Sequence, residues 1–391
     1  MVECIAVVNA GSSSVKFGIY AAGGEPALLL RGQVEQIGVA PTLSAAEADG
    51  NELARREWPA EGFAHAQAME AIIETARQCL PDASISGIGH RVVHGGTRFA
   101  APVEVTPEIL DDLEGLSALA PLHQPHNLAP IKAMAKEMPH IRQIACFDTG
   151  FHRSQSPLAQ SYGLPRQLTE SGIRRYGFHG LSYEFISARL AAVAPEYAKK
   201  RIVIAHLGNG ASLCALQDGH SVASTMGFTA VEGLLMGTRC GSIDPGVLLY
   251  LMDEHGMGAR ELEALIYKKS GLLGVSGISS DMRTLRSSDD PNAREAIALF
   301  VYRIIREIGS LAAALGGVDG LVFTGGIGQR DSQTREGVVE GCAWLGARLD
   351  KEANDNHRQR IDAADSALPI WVFPTDEERV ICDHTMTLLG Y

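Results

Sequence analysis

The chain has 391 residues, with 34 Lys and Arg against 46 Asp and Glu, for a formal charge of −12. At about 100–200 residues per domain, that length predicts two or three domains, and 46% hydrophobic with 20% charged residues excludes a disordered chain. The acidic balance excludes sequence-independent nucleic-acid binding, which needs concentrated Lys and Arg, and an anionic membrane surface, so an anionic ligand has to be met by locally gathered cations.

Met1-Val2-Glu3-Cys4 runs directly into an apolar segment, with no basic stretch, apolar stretch and small-residue cleavage site in succession. No apolar run reaches the ~18 residues of a membrane span. The seven cysteines are scattered and none forms CxxC, so free thiols in a cytoplasmic protein are expected rather than disulfides or a zinc site.

Strands are predicted at Ile5–Val8, Val15–Tyr20, Gln143–Phe147, Ile202–Leu207, Ser212–Leu216, Gly320–Phe323 and Ile370–Phe373. Gly23-Gly24 and Ala40–Gly50 read as loops or a small surface insertion. A helix is predicted from Thr106-Pro107, with proline in its first turn. A second covers about Ala293 to Leu315, where Ile297, Val301, Ile304, Ile308, Leu311 and Leu315 recur at spacings of 4, 3, 4, 3 and 4. Asp290-Pro291 starts it and Gly316-Gly317 stops it. The alternation of strands, helices and Gly-rich corners predicts an α/β architecture.

Ile5–Tyr20 and Ile202–Leu216 share one pattern, strand, small-residue corner, strand, with Gly11 and Gly210 lying 199 residues apart. Each corner alone fits an ordinary hairpin turn. Their pairing, one in each half, points to a duplicated domain with a ligand between the copies. Asn9–Ser14, His206–Ser212 and Thr324–Gly328 are three corners whose free amides and hydroxyls can cradle phosphates. No GxxxxGK[S/T], kinase VAIK lysine or GxGxxG with a following acid is present, which excludes P-loop, protein-kinase and dinucleotide solutions.

Three Gly-embedded cationic segments stand out in this acidic chain: Gly89–Gly96 with Arg91, Arg174–Gly180 with His179, and Met236–Gly241 with Arg239. A guanidinium at a strand end can fork onto a carboxylate or phosphate. His90 and His94 have the i, i+4 spacing of metal ligands, but their stretch reads extended. Asp148, after the apolar strand, fits either an active-site carboxylate at a strand's C-terminal end or a turn cap. Thr375 with Glu378 fits a capping box, which accounts for Glu378 and leaves Glu377 available to a metal.

Together, Asn9–Phe17, His90–Gly96, Ala120–His123, Phe147–Thr149, Arg174–Gly180, His206–Ser212, Met236–Gly241 and Phe323–Gly328 resemble the acetate kinase family, in order and across nearly the whole chain. The resemblance implies two duplicated ribonuclease H-like domains with a nucleotide cleft between them, as in sugar kinases, chaperone ATPases and actin. It implies boundaries at 1–147 plus 376–391 for the first domain and 148–375 for the second. The implied reaction is reversible in-line transfer of the ATP γ-phosphoryl to acetate, giving acetyl phosphate and ADP. A propionate or butyrate kinase, or an actin- or chaperone-like ATPase switch, are the alternatives. No nucleic-acid or membrane partner is implied, and a homodimer is.

By motif position, Asn9 and Glu377 would hold Mg²⁺ or Mn²⁺. Ser12, Ser14 and Lys16 would face the phosphates, with His206, Leu207, Gly208, Asn209 and Gly210 as the second phosphate loop. Asp281, Met282, Arg283, Gly326, Ile327, Gly328, Gln329 and Arg330 would line the nucleotide site. Arg91 and Arg239 would bind substrate and the transferring phosphoryl, His179 would stabilise the transition state, and Asp148 corresponds to the family's catalytic aspartate. Val93, Leu122 and Phe178 would form the acyl pocket. The chain departs from the family pattern at Ala230, where Pro is usual, at Ser242, where Asp is usual, and at Gln329-Arg330, where Glu-Asn is usual. Ala230 would leave room for propionate.

Overall fold

β1 (Val2–Ala10) and β2 (Val15–Ala21) form an antiparallel hairpin in register Asn9↔Lys16, extended by β3 (Ala27–Glu35), β4 (Thr42–Ala46) and β5 (Glu52–Glu57). On the other side of β1 run parallel β6 (Ala83–Val92) and β8 (Arg142–Phe147), with β7 (Val103–Glu104) at the edge. These assignments come from a computed structural model that describes residues 2–11 and 13–391. Ala40–Gly50 is therefore not wholly a loop, since Thr42–Ala46 within it forms β4. Its short side chains alternate between half-buried and buried positions, a period too weak to read as a strand.

A second sheet runs β11 (His220–Ser224), β10 (Ala211–Gln217), β9 (Ile202–Leu207), β12 (Gly320–Thr324), β13 (Ile370–Val372). Its pairings are antiparallel, antiparallel, parallel and parallel. The run β3-β2-β1-β6-β8 of the first sheet has the same sequence of pairings, so the duplication suggested by the two corners is one of whole topology. The chain divides into two compact units: everything up to Phe151 together with Asp376–Tyr391, and His152–Thr375.

In the first unit, α1 (His65–Cys79) and α3 (Gln124–Glu137) cover one face of the sheet; α2 (Pro107–Gly115), capped by Thr106, lies beside α3. The C-terminal helix Glu377–Leu389 covers the other face. Period-2 alternation in β6 separates the layers: Ile88 packs with Met69 and Met134, while Gly87 and Gly89 face the C-terminal helix. A Cβ at Gly89 would lie 2.3 Å from Thr385 Oγ1 and 2.5 Å from Ile381 Cγ2. Only glycine lets the helix sit this close, and that closeness fixes where Glu377 emerges.

In the second unit, Pro291–Leu315 is the predicted amphipathic helix, with Asp290 as N-cap and Gly316 in the left-handed conformation at its end, and it packs across β10. Thr324–Gly328 is not a corner. β12 ends at Thr324 and Gly325–Arg330 is a short helix.

Candidate active site

Three parallel strands end side by side in the first unit. The registers Val8↔His90 and Arg91↔Cys146 bring Asn9, Arg91 and Asp148 to the same edge of the sheet. Arg91 donates Nε to Asp148 Oδ1 at 3.0 Å, Nη2 to Asp148 Oδ2 at 2.5 Å and Nη1 to Asn9 Oδ1 at 3.2 Å. Asp148 is 1% exposed, and both of its carboxylate oxygens accept from the guanidinium. Glu377 Oε2 lies 3.9 Å from Arg91 Nε. Burial opposes the charge on Arg91, but Asp148 and Glu377 outweigh it and hold its pKa above the usual range.

The helix that starts at Glu377 is capped by Asp376, whose side chain accepts from Arg379 N at 2.9 Å. The capping box expected from Thr375 and Glu378 does not form: Thr375 Oγ1 is hydrogen-bonded to Ser182 Oγ at 2.8 Å. Glu378 instead has a raised pKa, first from burial, with Lys16 pulling it down and Asp376 and Glu377 pushing it up. Lys16 is exposed on β2 opposite Asn9, and Ser14 closes the corner by accepting from Gly11 N at 2.7 Å. Ser12 lies outside the described residues. Asn9 and Glu377 are hard oxygen donors, a set that suits Mg²⁺, which takes one or two protein oxygens and keeps its remaining positions for water and phosphate.

Several residues that hold this edge together carry no local signal. Asn127 Nδ2 donates to Ala10 O at 2.5 Å, and its Oδ1 accepts from Val93 N at 2.9 Å, tying the ends of β1 and β6. Gln124 Oε1 accepts from His94 N at 3.2 Å, its Nε2 donates to His94 O at 3.1 Å, and Thr149 Oγ1 accepts from Gly95 N at 3.0 Å. His94 Nδ1 accepts from Gly96 N at 2.9 Å, and His90 Nε2 donates to Gln143 Oε1 at 2.7 Å. Both histidines are therefore committed to holding backbone and strands. Burial pushes each pKa down to about 4, partly offset at His90 by Gln143. Val93 is buried and Leu122 half-buried in this unit.

In the second unit, His179 has a left-handed backbone (φ 59°) at the start of the helix Gly180–Val193. Its Nδ1 is hydrogen-bonded to Ser212 Oγ at 2.8 Å, and Ser212 also binds Tyr183 Oη. Its ring stacks on His206 at 4.4 Å between centroids. His206 Nδ1 is hydrogen-bonded to Ser182 Oγ at 2.8 Å. Arg239 donates Nη1 to Ala230 O at 2.9 Å. A Cβ on Gly210 would stand 3.3 Å from His179 Nε2 and 3.8 Å from Arg239 Nη1, so both cation-forming side chains converge on this loop.

Phe178 is buried, and its carbonyl accepts from His152 Nε2 at 2.8 Å. Arg175, from the same cationic segment, is structural: it pairs with Glu232 and donates to the carbonyls of Ser224 and Thr225. Ser242 Oγ accepts from Gly233 N at 3.2 Å.

A pocket of about 790 Å³ opens beside the loop. Gly208 and Asn209, Asp281 to Arg283, and Gly326, Ile327 and Arg330 line it, and Ser280, Arg286, Ser287 and Asp331 join them. Asp281 caps the helix Met282–Arg286, and its hydrogen bond from Arg283 pulls its pKa down to about 2. Arg286 donates Nη2 to Asp331 Oδ2 at 3.2 Å and to Thr334 Oγ1 at 3.0 Å. His206, Leu207, Gly210, Gly328 and Gln329 do not line this pocket. Gly328 and Gln329 act through their carbonyls, which accept from Nη1 of the fully buried Arg335 at 2.9 and 2.8 Å.

A model of the acetokinase family matches residues 4–383. An acetate kinase of Rhodopseudomonas palustris (strain TIE-1) is 53% identical over 99% of each chain. The crystal structure of Porphyromonas gingivalis acetate kinase superposes with a TM-score of 0.89 at 39% identity, covering 99% of this chain and 100% of that one. A propionate kinase from Francisella tularensis subsp. tularensis SCHU S4 superposes with a TM-score of 0.91 at 33% identity, covering 98% and 99%. The duplicated sheets, the strand-end arginine with its carboxylate and the glycine-lined pocket thus occur in a chain that belongs to the acetokinase family.

Proposed function

We propose that this chain is an enzyme that transfers the γ-phosphoryl group of ATP reversibly to acetate, forming acetyl phosphate and ADP. The observation that carries the reading is the convergence of His179 and Arg239 on Gly210, in the same loop whose Gly208 and Asn209 line the large pocket. Phosphoryl transfer is mainly positioning and neutralisation of charge on the equatorial oxygens, which is what two such donors at a phosphate loop supply.

Arg91 binds the acetate carboxylate and, with Arg239 and His179, the phosphoryl being transferred. Acetate, a simple carboxylic acid with a pKa of roughly 4, is already ionised at neutral pH, so the nucleophile needs no strong base. Asp148 therefore orients Arg91, in keeping with its two-point hydrogen bond to that guanidinium. Asn9 and Glu377 would hold Mg²⁺, which when bound neutralises charge on the β and γ oxygens. Ser12, Ser14 and Lys16 serve the phosphates; Asp281 to Arg283 with Gly326, Ile327 and Arg330 serve the nucleotide, and Gly328 and Gln329 hold that short helix to Arg335. The residues proposed for the methyl group are Val93 and Leu122 in the first unit and Phe178 in the second. Transfer is direct and in line, in the cytoplasm.

Propionate is the second reading. Ala230 replaces the usual proline, its carbonyl holds Arg239, and a propionate kinase shares the fold at 33% identity. A methylene discriminates by only about 1–3 kcal/mol, so both acids are accepted.

A homodimer is supported by the helix Pro245–His255, which has no buried residue although Val247, Leu249, Tyr250 and Met252 are all exposed. Monomeric proteins rarely leave such an apolar surface to solvent.

The test is the reverse reaction followed by luminescence: ADP, Mg²⁺ and acetyl phosphate should yield ATP. ATP hydrolysis independent of any acid, with no ATP synthesis, would indicate an ATPase switch instead.

A further inference from the structure

A second cavity, of about 130 Å³, lies within the first unit and is not used by the reaction proposed above. It occupies the sheet face covered by α1 and α3, between Val8, Phe17 and Ile88 of the strands and Met69, Ile72 and Met134 of the helices. Protein interiors are close-packed, so a void of this size is unusual. A dry apolar cavity of roughly 150 Å³ holds benzene, so this one admits an alkyl group of about six carbons. Met69, Met134 and Met138 are flexible and polarizable enough to fit such a chain closely.

The one charged side chain in the wall is Arg77, in the last turn of α1. It is exposed and makes no ion pair or side-chain hydrogen bond among the described residues. We propose that this cavity binds a medium-chain carboxylate, with the alkyl chain among the methionines and the carboxylate on Arg77. The charge decides for the anion over a neutral hydrocarbon: a cation without a partner stands at an apolar cavity with no acid in its wall.

Both helices that roof the cavity hold the catalytic edge at their other ends. His65, at the start of α1, donates Nε2 to Gly11 O at 2.7 Å. Asn127 of α3 bridges Ala10 O and Val93 N. A chain lodged beneath α1 and α3 therefore bears on the Asn9–Ser14 corner and on the turn after Arg91. This inference stands on the first unit alone and does not depend on which acid is phosphorylated.

The test uses the full-length protein carrying ¹³C-methyl methionine, titrated with octanoate, and with octanol and acetate as controls. Of the ten methionines, Met69, Met134 and Met138 should shift with octanoate and show cross-relaxation to its methylenes, while acetate leaves them unmoved. The Asn127 side-chain amide should move with them. Arg77→Gln should weaken octanoate about tenfold and leave octanol unchanged, as expected for loss of one charge-assisted contact. Ala76→Phe should fill the cavity and abolish binding of both. Absence of cross-relaxation to those three methyls in the wild-type protein overturns the proposal whether or not the filled variant folds. Octanoate affinity unchanged in Arg77→Gln overturns the assignment of the carboxylate.

Discussion

Arg91 and Asp148 are joined at two points, Nε to Oδ1 at 3.0 Å and Nη2 to Oδ2 at 2.5 Å, with the carboxylate 1% exposed and the guanidinium partly open. Both carboxylate oxygens thus face a permanent cation, which is the geometry of an orienting group and not of a base awaiting a proton. Asp148→Asn keeps the shape and loses the charge; Asp148→Ala loses both. Each should lower kcat by about 10²–10³, with the alanine variant also raising KM for acetate. The shape of the pH–rate profile should survive in the asparagine variant. If that variant fails solely through a lost basic limb, Asp148 is a proton acceptor after all.

Ser212 fixes His179 through a 2.8 Å hydrogen bond to Nδ1 while Tyr183 holds the serine from the other side. Removing this hydroxyl takes away one of the contacts that hold the imidazole beside Gly210, leaving the stack on His206. Ser212→Ala should therefore cut kcat by about tenfold, with KM for both substrates nearly unchanged, as for a contact realised mainly in the transition state. Steady-state kinetics decides. An equal rise in KM with unchanged kcat would place His179 in ground-state binding.

His90 and His94 are buried, and burial pushes both pKa values down to about 4, against about 6.5 in an unfolded chain. Between those values the unfolded chain binds protons that the folded one refuses. Stability is thus fully present above about pH 6.5 and falls as pH drops toward 4, by up to about 3 kcal/mol per histidine. Urea denaturation across this window should show the loss, and His90→Asn should make it shallower. A parallel loss in the variant would assign the acid sensitivity elsewhere.

The exposed helix Pro245–His255 gives the proposed dimer a direct test. Tyr250 is 58% exposed, and placing a carboxylate there should weaken a self-association built on this helix by about tenfold or more. Sedimentation of Tyr250→Glu should show a monomer where the parent chain shows a dimer. An unchanged dimer would move the interface to another surface.

Legibility followed the range of the interactions. Ile202–Leu207 was readable because every residue is buried, and Pro291–Leu315 because its apolar stripe and both end signals are local. β5, with the sequence Glu-Leu-Ala-Arg-Arg-Glu, has no buried residue and looks like a polar loop until its neighbour is known. Thr375 and Asp376 are both good caps by residue type. Thr375 is taken by Ser182, a partner 193 residues away, and no local rule sees that. The same holds for the supports of the site. Arg91, Asp148 and Arg239 stand out in the chain by their glycine or strand-end settings. Asn127, Gln124 and Arg335 act on backbone groups brought near only by the fold.

The most direct measurement is trapping of the acyl phosphate with hydroxylamine in the presence of ATP and Mg²⁺, across formate, acetate, propionate and butyrate. Acetate should give hydroxamate in step with ADP, propionate somewhat less and butyrate little, and Arg91→Ala should abolish the product with every acid. ADP release without hydroxamate from any of the four acids would contradict an acyl kinase.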